Sequence, residues 1–233
     1  MEALRISAKN LGEIAMEDSF CPRCFWIKLK TKLPFQIFPG IFSSIDAYTK
    51  KVTNLHYDRH GSIPEWFNEF GDLGRPVKVP HFSKFNTFDE ETQVLLTGVP
   101  DEIFKGPDGS YFIADYKTAK YTGAQDELLP MYDIQLNGYA YIAERTGFSP
   151  VSGLGLIYYE PQTDISEPEI DSYVMDGGFA MHFSPKLKPM ELRTDVIPPL
   201  LKKAKEIFDM SRPPASATGC KNCDLLDQMM GML

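Results

Sequence analysis

Three side chains near the middle of the chain have the types and spacing to handle a charged oxygen centre: Asp101, Asp115 and Lys117. They lie in Gly98-Val99-Pro100-Asp101-Glu102-Ile103 and in Ile113-Ala114-Asp115-Tyr116-Lys117-Thr118. On a strand, successive side chains alternate between faces, so Asp115 and Lys117 share a face with Ile113 while Tyr116 takes the other. Carboxylates are hard oxygen ligands that recruit Mg²⁺ or Mn²⁺, and such an ion lowers the pKa of a bound water. The backbone carbonyl of Tyr116 is a further candidate ligand. An ammonium at Lys117 can orient or help deprotonate an attacking water and stabilise charge on a pentavalent phosphorus. The set suits hydrolysis of a phosphodiester.

Those groups converge only if the chain turns back between them. Gln93 to Phe104 and Tyr111 to Thr118 read as strands, and Gly106-Pro107-Asp108-Gly109 supplies the angles of a hairpin turn. Asp101 then lies across from the Asp115 region. Leu128 to Arg145 has helical periodicity and stops at Gly147, Val151 to Tyr159 reads as a strand, and Ser172 to Phe183 reads as another, broken at Gly177-Gly178. Upstream, Ser7 caps a predicted helix reaching Met16, a short helix follows Cys24, and a third begins at Ser43 or Ser44 and ends at Gly61. Leu192 to Met210 is expected to be helical, delayed or kinked by Pro198-Pro199. This order implies an α/β fold with a mixed central β-sheet flanked by helices.

At these residues the chain resembles the PD-(D/E)XK nuclease superfamily, whose core signature is an acid followed by (D/E)-x-K on the next strand. Gln135-Leu136-Asn137-Gly138-Tyr139 is similar to the Q-x-x-x-Y motif of its RecB-type exonuclease branch, which includes the CRISPR-adaptation nucleases. Gln135 and Tyr139 share one helical face. The resemblance implies that this pair supports the active site and contacts DNA, and that the substrate is DNA at single strands or ends. It also implies an additional ligand from an upstream helix, for which His56 is the first candidate, with Asp46 and His60 behind it.

Four cysteines occur, as Cys21-Pro22-Arg23-Cys24 and Gly219-Cys220-Lys221-Asn222-Cys223. Each C-x-x-C pair can share one ion, and a centre held by both would join the two ends of the chain. Four thiolates suit structural Zn²⁺, [2Fe–2S] or [4Fe–4S]. The spacing does not choose between them. Resemblance to nucleases with an iron–sulfur cluster favours [4Fe–4S], although their pattern is one cysteine upstream and three downstream, against two and two here.

The remaining features bound the reading. With 233 residues, 43% hydrophobic and 24% charged, the composition is that of a globular chain. We expect one nuclease-like domain over 1–233, its helical parts 1–60 and 190–233 completing the four-cysteine site. A net charge of −8 argues against broad nonspecific wrapping of nucleic acid. Local basic clusters remain: Lys28, Lys30 and Lys32; Lys50 and Lys51; and Lys202, Lys203 and Lys205. No apolar run approaches the ~20 residues of a membrane span, and no secretory leader is read at Met1 to Arg5, so a cytoplasmic location is expected. The alternative to a nuclease is a non-catalytic nucleic-acid-binding module stapled by the cysteine site.

Overall fold

The computed structural model describes residues 3–31, 39–121 and 127–232. Its centre is a five-stranded mixed sheet in the order β10-β7-β6-β5-β2. The strands are β2 (Arg75–Val77), β5 (Glu102–Lys105), β6 (Tyr111–Lys117), β7 (Val151–Pro161) and β10 (Phe183–Met190). β6 and β7 run parallel and the other neighbours antiparallel. A parallel pair needs a long crossover, which contains α4 (Leu129–Arg145). A second sheet, β1-β4-β3, is built from β1 (Leu4–Ser7), β4 (Val94–Thr97) and β3 (Asn86–Asp89).

α4 is buried along nearly its whole length because it lies in the core shared by both sheets. Ile134, Leu136, Ala140, Ile142 and Ala143 join Leu4, Ile6 and Leu96 of the small sheet and Ile103, Ile113, Leu154 and Leu156 of the large one in a single apolar cluster. Two helices close that layer. α1 (Ala8–Gly12) starts at Ser7, whose Oγ accepts the Asn10 N–H at 3.1 Å. α5 (Ile197–Asp209) buries Ile197, Leu201, Ala204 and Phe208 along one stripe and carries Pro198-Pro199 in its first turn, where an N–H is not needed. The opposite face of the large sheet holds a smaller cluster of Phe67, Phe104, Ala114, Tyr116, Ile157 and Tyr159.

The expected mixed α/β fold with flanking helices is the observed one, and the hairpin forms where its turn residues stand. Asp108 Oδ1 accepts from the Ser110 N–H at 2.9 Å and from the Ser110 hydroxyl at 2.7 Å, and Gly109 takes φ 87°. Several boundaries differ from the sequence reading, including the start of α5 at Ile197 rather than Leu192. The run Gln93 to Phe104 is two strands in two sheets, since Pro100 has no N–H to donate and the chain crosses over at Gly98–Asp101. The first helix is preceded by β1, which pairs in parallel with β4. The strand expected at Ser172 to Phe183 is a tiny hairpin, β8 (Val174–Met175) and β9 (Gly178–Phe179), while the long strand is β10. Pro185 and Pro189 mask β10 from a sequence reading, yet both are tolerated because it is an edge strand. The other edge, β2, carries Pro76.

Two more helices matter for the site. α3 (Gly40–His60) ends at Gly61 with φ 70°, as expected, but begins before Ser43. α2 (Pro22–Lys30) and α6 (Lys221–Met230) face one another near the ends of the chain. No helix among the described residues is long and apolar enough to cross a membrane.

Candidate functional site

The hairpin register fixes the first relation. Glu102 pairs with Ala114, so one step further along the same register sets Asp101 against Asp115. The Tyr116 N–H donates to Asp101 Oδ2 at 2.6 Å, which holds that carboxylate at the strand end. Asp115 is buried, and its Oδ2 contacts the Lys117 ammonium. Ile113 lies in the core beneath α4, and Tyr116 lies in the cluster on the opposite face, T-stacked on Tyr159 at 5.2 Å. The alternation read from sequence therefore holds.

α4 brings the second relation. Gln135 Nε2 donates to Asp115 Oδ1 at 3.3 Å and to the Tyr139 hydroxyl at 2.6 Å, while its Oε1 accepts from Lys117 Nζ at 3.2 Å. One amide thus ties carboxylate, ammonium and phenol together. Burial, then the charge of Asp115, push the Tyr139 hydroxyl well above its ordinary range, so it stays a neutral phenol. The Lys117 ammonium also lies 4.1 Å from the Tyr132 ring centroid. Gly98 makes room for this corner, because a Cβ there would sit 2.4 Å from the Tyr139 ring. Gly98→Ala is expected to cost about 1–3 kcal/mol, as overpacking of a filled core does, read as a lowered denaturation midpoint.

α3 adds what the sequence reading ranked low. Lys50 Nζ lies 2.7 Å from Asp101 Oδ1 and 2.8 Å from Asp46 Oδ2, so one ammonium bridges two acids. The helical spacing of Asp46 and Lys50 was legible, but nothing local pointed from Lys50 to Asp101. Asp46 and Lys117 line the same cleft of about 480 Å³, together with Lys9, Phe42, Thr49 and Tyr132. His56 is not brought to the acids. Its Nδ1 is 2.9 Å from the Ser62 carbonyl and its ring lies 4.5 Å from that of His60, in the last turns of α3, past the Lys50 that meets Asp101. Among the upstream candidates, Asp46 is the one linked to Asp101, through Lys50.

Electrostatics make the corner strained in the absence of added positive charge. Burial, then the nearby Asp115, raise the Asp101 carboxyl to about 7 against the pull of Lys50 and the Tyr116 N–H. Burial alone would lower the Lys50 ammonium, but the charge of Asp101 and its hydrogen bonds outweigh that and raise it. Glu102, on the other side of the strand, is raised to about 7, first by burial; Asn54 and the Tyr116 hydroxyl donate to it at 3.2 and 3.4 Å. An unfolded Glu titrates near 4.3. Between about pH 4 and 7 the folded chain keeps a proton on Glu102 that the unfolded chain has released. Its favourable contribution is therefore complete below the unfolded value and is lost as pH rises through about 7. Glu102→Gln is neutral throughout, so the variant-minus-parent difference in Tm is expected to be more positive at pH 8 than at pH 5.

The four cysteines are free thiols gathered at one place, their sulfurs all within 4.8 Å of one another. Cys24 Sγ lies 3.4 Å from Cys223 and 3.6 Å from Cys220, and Cys21 Sγ lies 3.6 Å from Cys223. Cys21 and Cys220 are the N-caps of α2 and α6, so each pair occupies the first turn of a helix. The Ala217 N–H donates to Cys21 Sγ at 3.3 Å. Burial raises the Cys21 thiol, but that N–H, the one of Cys24 and the neighbouring thiols outweigh it and lower it to about 6. The set could hold a metal. Of the basic clusters, Lys28 pairs with Glu13, Lys30 lies over the Phe208 ring at 3.8 Å and Lys205 pairs with Asp209, while Lys32 lies outside the described residues.

A family model described as "PD-(D/E)XK nuclease superfamily" matches residues 38–227. The chain belongs to the PD-(D/E)XK nuclease superfamily. The match takes in the acids, Lys117, Gln135, Tyr139, Cys220 and Cys223, and leaves Cys21 and Cys24 outside it. A solved structure described as "Crystal structure of SSO0001" aligns over 92% of this chain and 81% of its own, at 13% identity and a TM-score of 0.40. No curated protein matches the chain. Divalent metals serve this superfamily's chemistry, and the corner fits one. The charge of Asp115 raises the Asp101 carboxyl, Lys50 already bridges Asp46 to Asp101, and Asp115 Oδ2 accepts no hydrogen bond of ordinary geometry despite its contact with Lys117.

Proposed function

We propose that this superfamily member is a metal-dependent nuclease that hydrolyses DNA phosphodiesters, acting as an exonuclease on single strands or ends. The observation that carries the reading is the convergence of buried Asp115 with half-buried Asp101 and Lys117 on one corner of the sheet, each held by a second group. Asp101, Asp115 and the Tyr116 carbonyl would hold Mg²⁺ or Mn²⁺, with Asp46 in the place first given to His56. A bound divalent ion supplies a more acidic water and offsets the charge that builds on phosphate oxygens.

The chain's own groups do the rest. Lys117 Nζ, fixed by Gln135 and Asp115, stands where it can take or orient a proton of the attacking water and offset charge on the phosphoryl oxygens. Gln135 and Tyr139 hold that lysine and the Asp115 carboxylate in register and carry the RecB-type resemblance. The ring of Tyr132 and the Lys9 side chain line the cleft along which a phosphate chain would enter.

The test incubates purified protein with end-labelled single-stranded and duplex DNA in Mg²⁺, in Mn²⁺ and in EDTA. Cleavage that needs the ion, and that shortens single strands stepwise from an end, is the expected result. Binding without cleavage under every condition would leave the non-catalytic module standing instead.

A further inference from the structure

We infer that the four-cysteine centre holds one tetrahedral Zn²⁺ rather than an iron–sulfur cluster, and that this ion is what fastens α6 to the rest of the chain. The inference is independent of the nuclease reading.

Sulfur spacing carries the first part. Four thiolates around one ion with Zn–S near 2.3 Å form a tetrahedron whose edges are about 3.8 Å. Three sulfur pairs here span 3.4–3.6 Å, and all four sulfurs lie within 4.8 Å of one another. In a [4Fe–4S] cubane each thiolate ligates a different iron, and the irons are held apart by bridging sulfides. That geometry spreads the outer sulfurs well beyond a 4.8 Å envelope. A [2Fe–2S] centre would keep two close pairs far from each other. Here close contacts also cross between the two C-x-x-C pairs, joining Cys21 to Cys223 and Cys24 to both Cys220 and Cys223, so no two pairs stand apart. There is room for one ion at the middle and none for a cluster. Where one thiolate set meets Zn²⁺ and Fe²⁺ in competition, the order of affinities favours zinc.

The local frame agrees with a single dianionic centre. Zn(Cys)₄ carries a net charge of −2, and both pairs lie in the first turn of a helix, where backbone N–H groups and the helix dipole favour negative charge. Gly219, at φ 70°, turns the chain into Cys220. The Arg23 guanidinium sits between the two cysteines of its pair in sequence and forms a bidentate pair with Asp227 at 2.9 and 2.6 Å, bridging α2 to α6.

Burial carries the second part. Cys223 is the only buried residue of α6, whereas Leu225, Met229 and Met230 are exposed. A helix of ten residues is marginal alone in water and normally relies on an apolar face it can bury. α6 has little of such a face, since apart from Cys223 only Leu226 among its apolar residues is even half-buried. Two thiolate bonds and one exposed ion pair attach it, so the ion takes the place of a core.

The test supplies iron and zinc together during expression, purifies the full chain anaerobically without chelator, and measures zinc, iron, acid-labile sulfide and absorbance. One zinc per chain, no sulfide and no band near 400 nm is expected. Replacement by Co²⁺ should give the visible bands of a tetrahedral thiolate site. Iron with matching sulfide, a single iron without sulfide, or intact thiols with no metal would each overturn the assignment. The fastening is read separately on the wild-type chain, by amide exchange with and without a zinc chelator. Exchange in 221–230 should rise at least about tenfold while α4 stays protected. Unchanged exchange in α6 after the ion has left would overturn that part.

Discussion

Lys117→Ala is expected to slow DNA cleavage by about 10²–10⁴-fold while leaving the chain folded, the range over which a positioned acid–base group acts. The side chain is held by Gln135 and Asp115 and lines the cleft, so its loss removes an ammonium from the reacting corner without opening the apolar core. Asp115→Asn should lose as much or more, and for a distinguishable reason. It removes a charge that the divalent ion needs, so metal affinity falls along with rate, whereas Lys117→Ala should bind Mn²⁺ about as well as the parent. Calorimetric titration of Mn²⁺ into both variants separates the two. Retention of full cleavage by Lys117→Ala would end the assignment of this corner as the active site.

Cys223→Ser is expected to cost about 4 kcal/mol or more of unfolding free energy, the amount a ligand contributes when present at about a thousand times its dissociation constant. Cys223 is the most buried of the four and touches two of its partners. Serine leaves three thiolates and an oxygen that binds the ion poorly, and the large loop closed between Cys24 and Cys220 is released. Chemical denaturation checks the number. The same loss should follow from chelating the parent, and the variant should then show no further loss. A variant whose denaturation midpoint matched the parent's would show that the centre does not clamp the chain.

What sequence alone could show follows from how local each signal is. The strand Ile113 to Lys117 was legible because period-two alternation needs only five residues, and the turn because Gly106 and Gly109 stand inside it. The Gln135–Tyr139 face was legible because helical spacing is likewise local. The pairing of the two C-x-x-C motifs was legible for a different reason, since thiols have few other uses in such spacing. Partners far apart in the chain were not legible. β1 has four residues and owes its existence to the edge offered by β4, some ninety residues away. Lys50 reads as one surface lysine among several until α3 is laid beside Asp101. His56 and Asp46 lie on one helix, and only the placement of that helix against the sheet decides which of them meets the acids. The split of Gln93 to Phe104 shows the same limit. The run reads as one strand through Pro100, and the sheet that each half joins depends on what is packed behind Gly98.

The prolines on the two rims of the large sheet have a consequence for behaviour in crowded solution. The pairing of β10 with β7 continues past Pro185 and Pro189, so their missing N–H groups fall on the outward side, and Pro76 interrupts the opposite rim. A stray extended peptide trying to zip onto either flank would find gaps where donors belong. Lateral growth into fibrils through these flanks is thereby discouraged, even in a chain whose central strands are richly β-branched and aromatic.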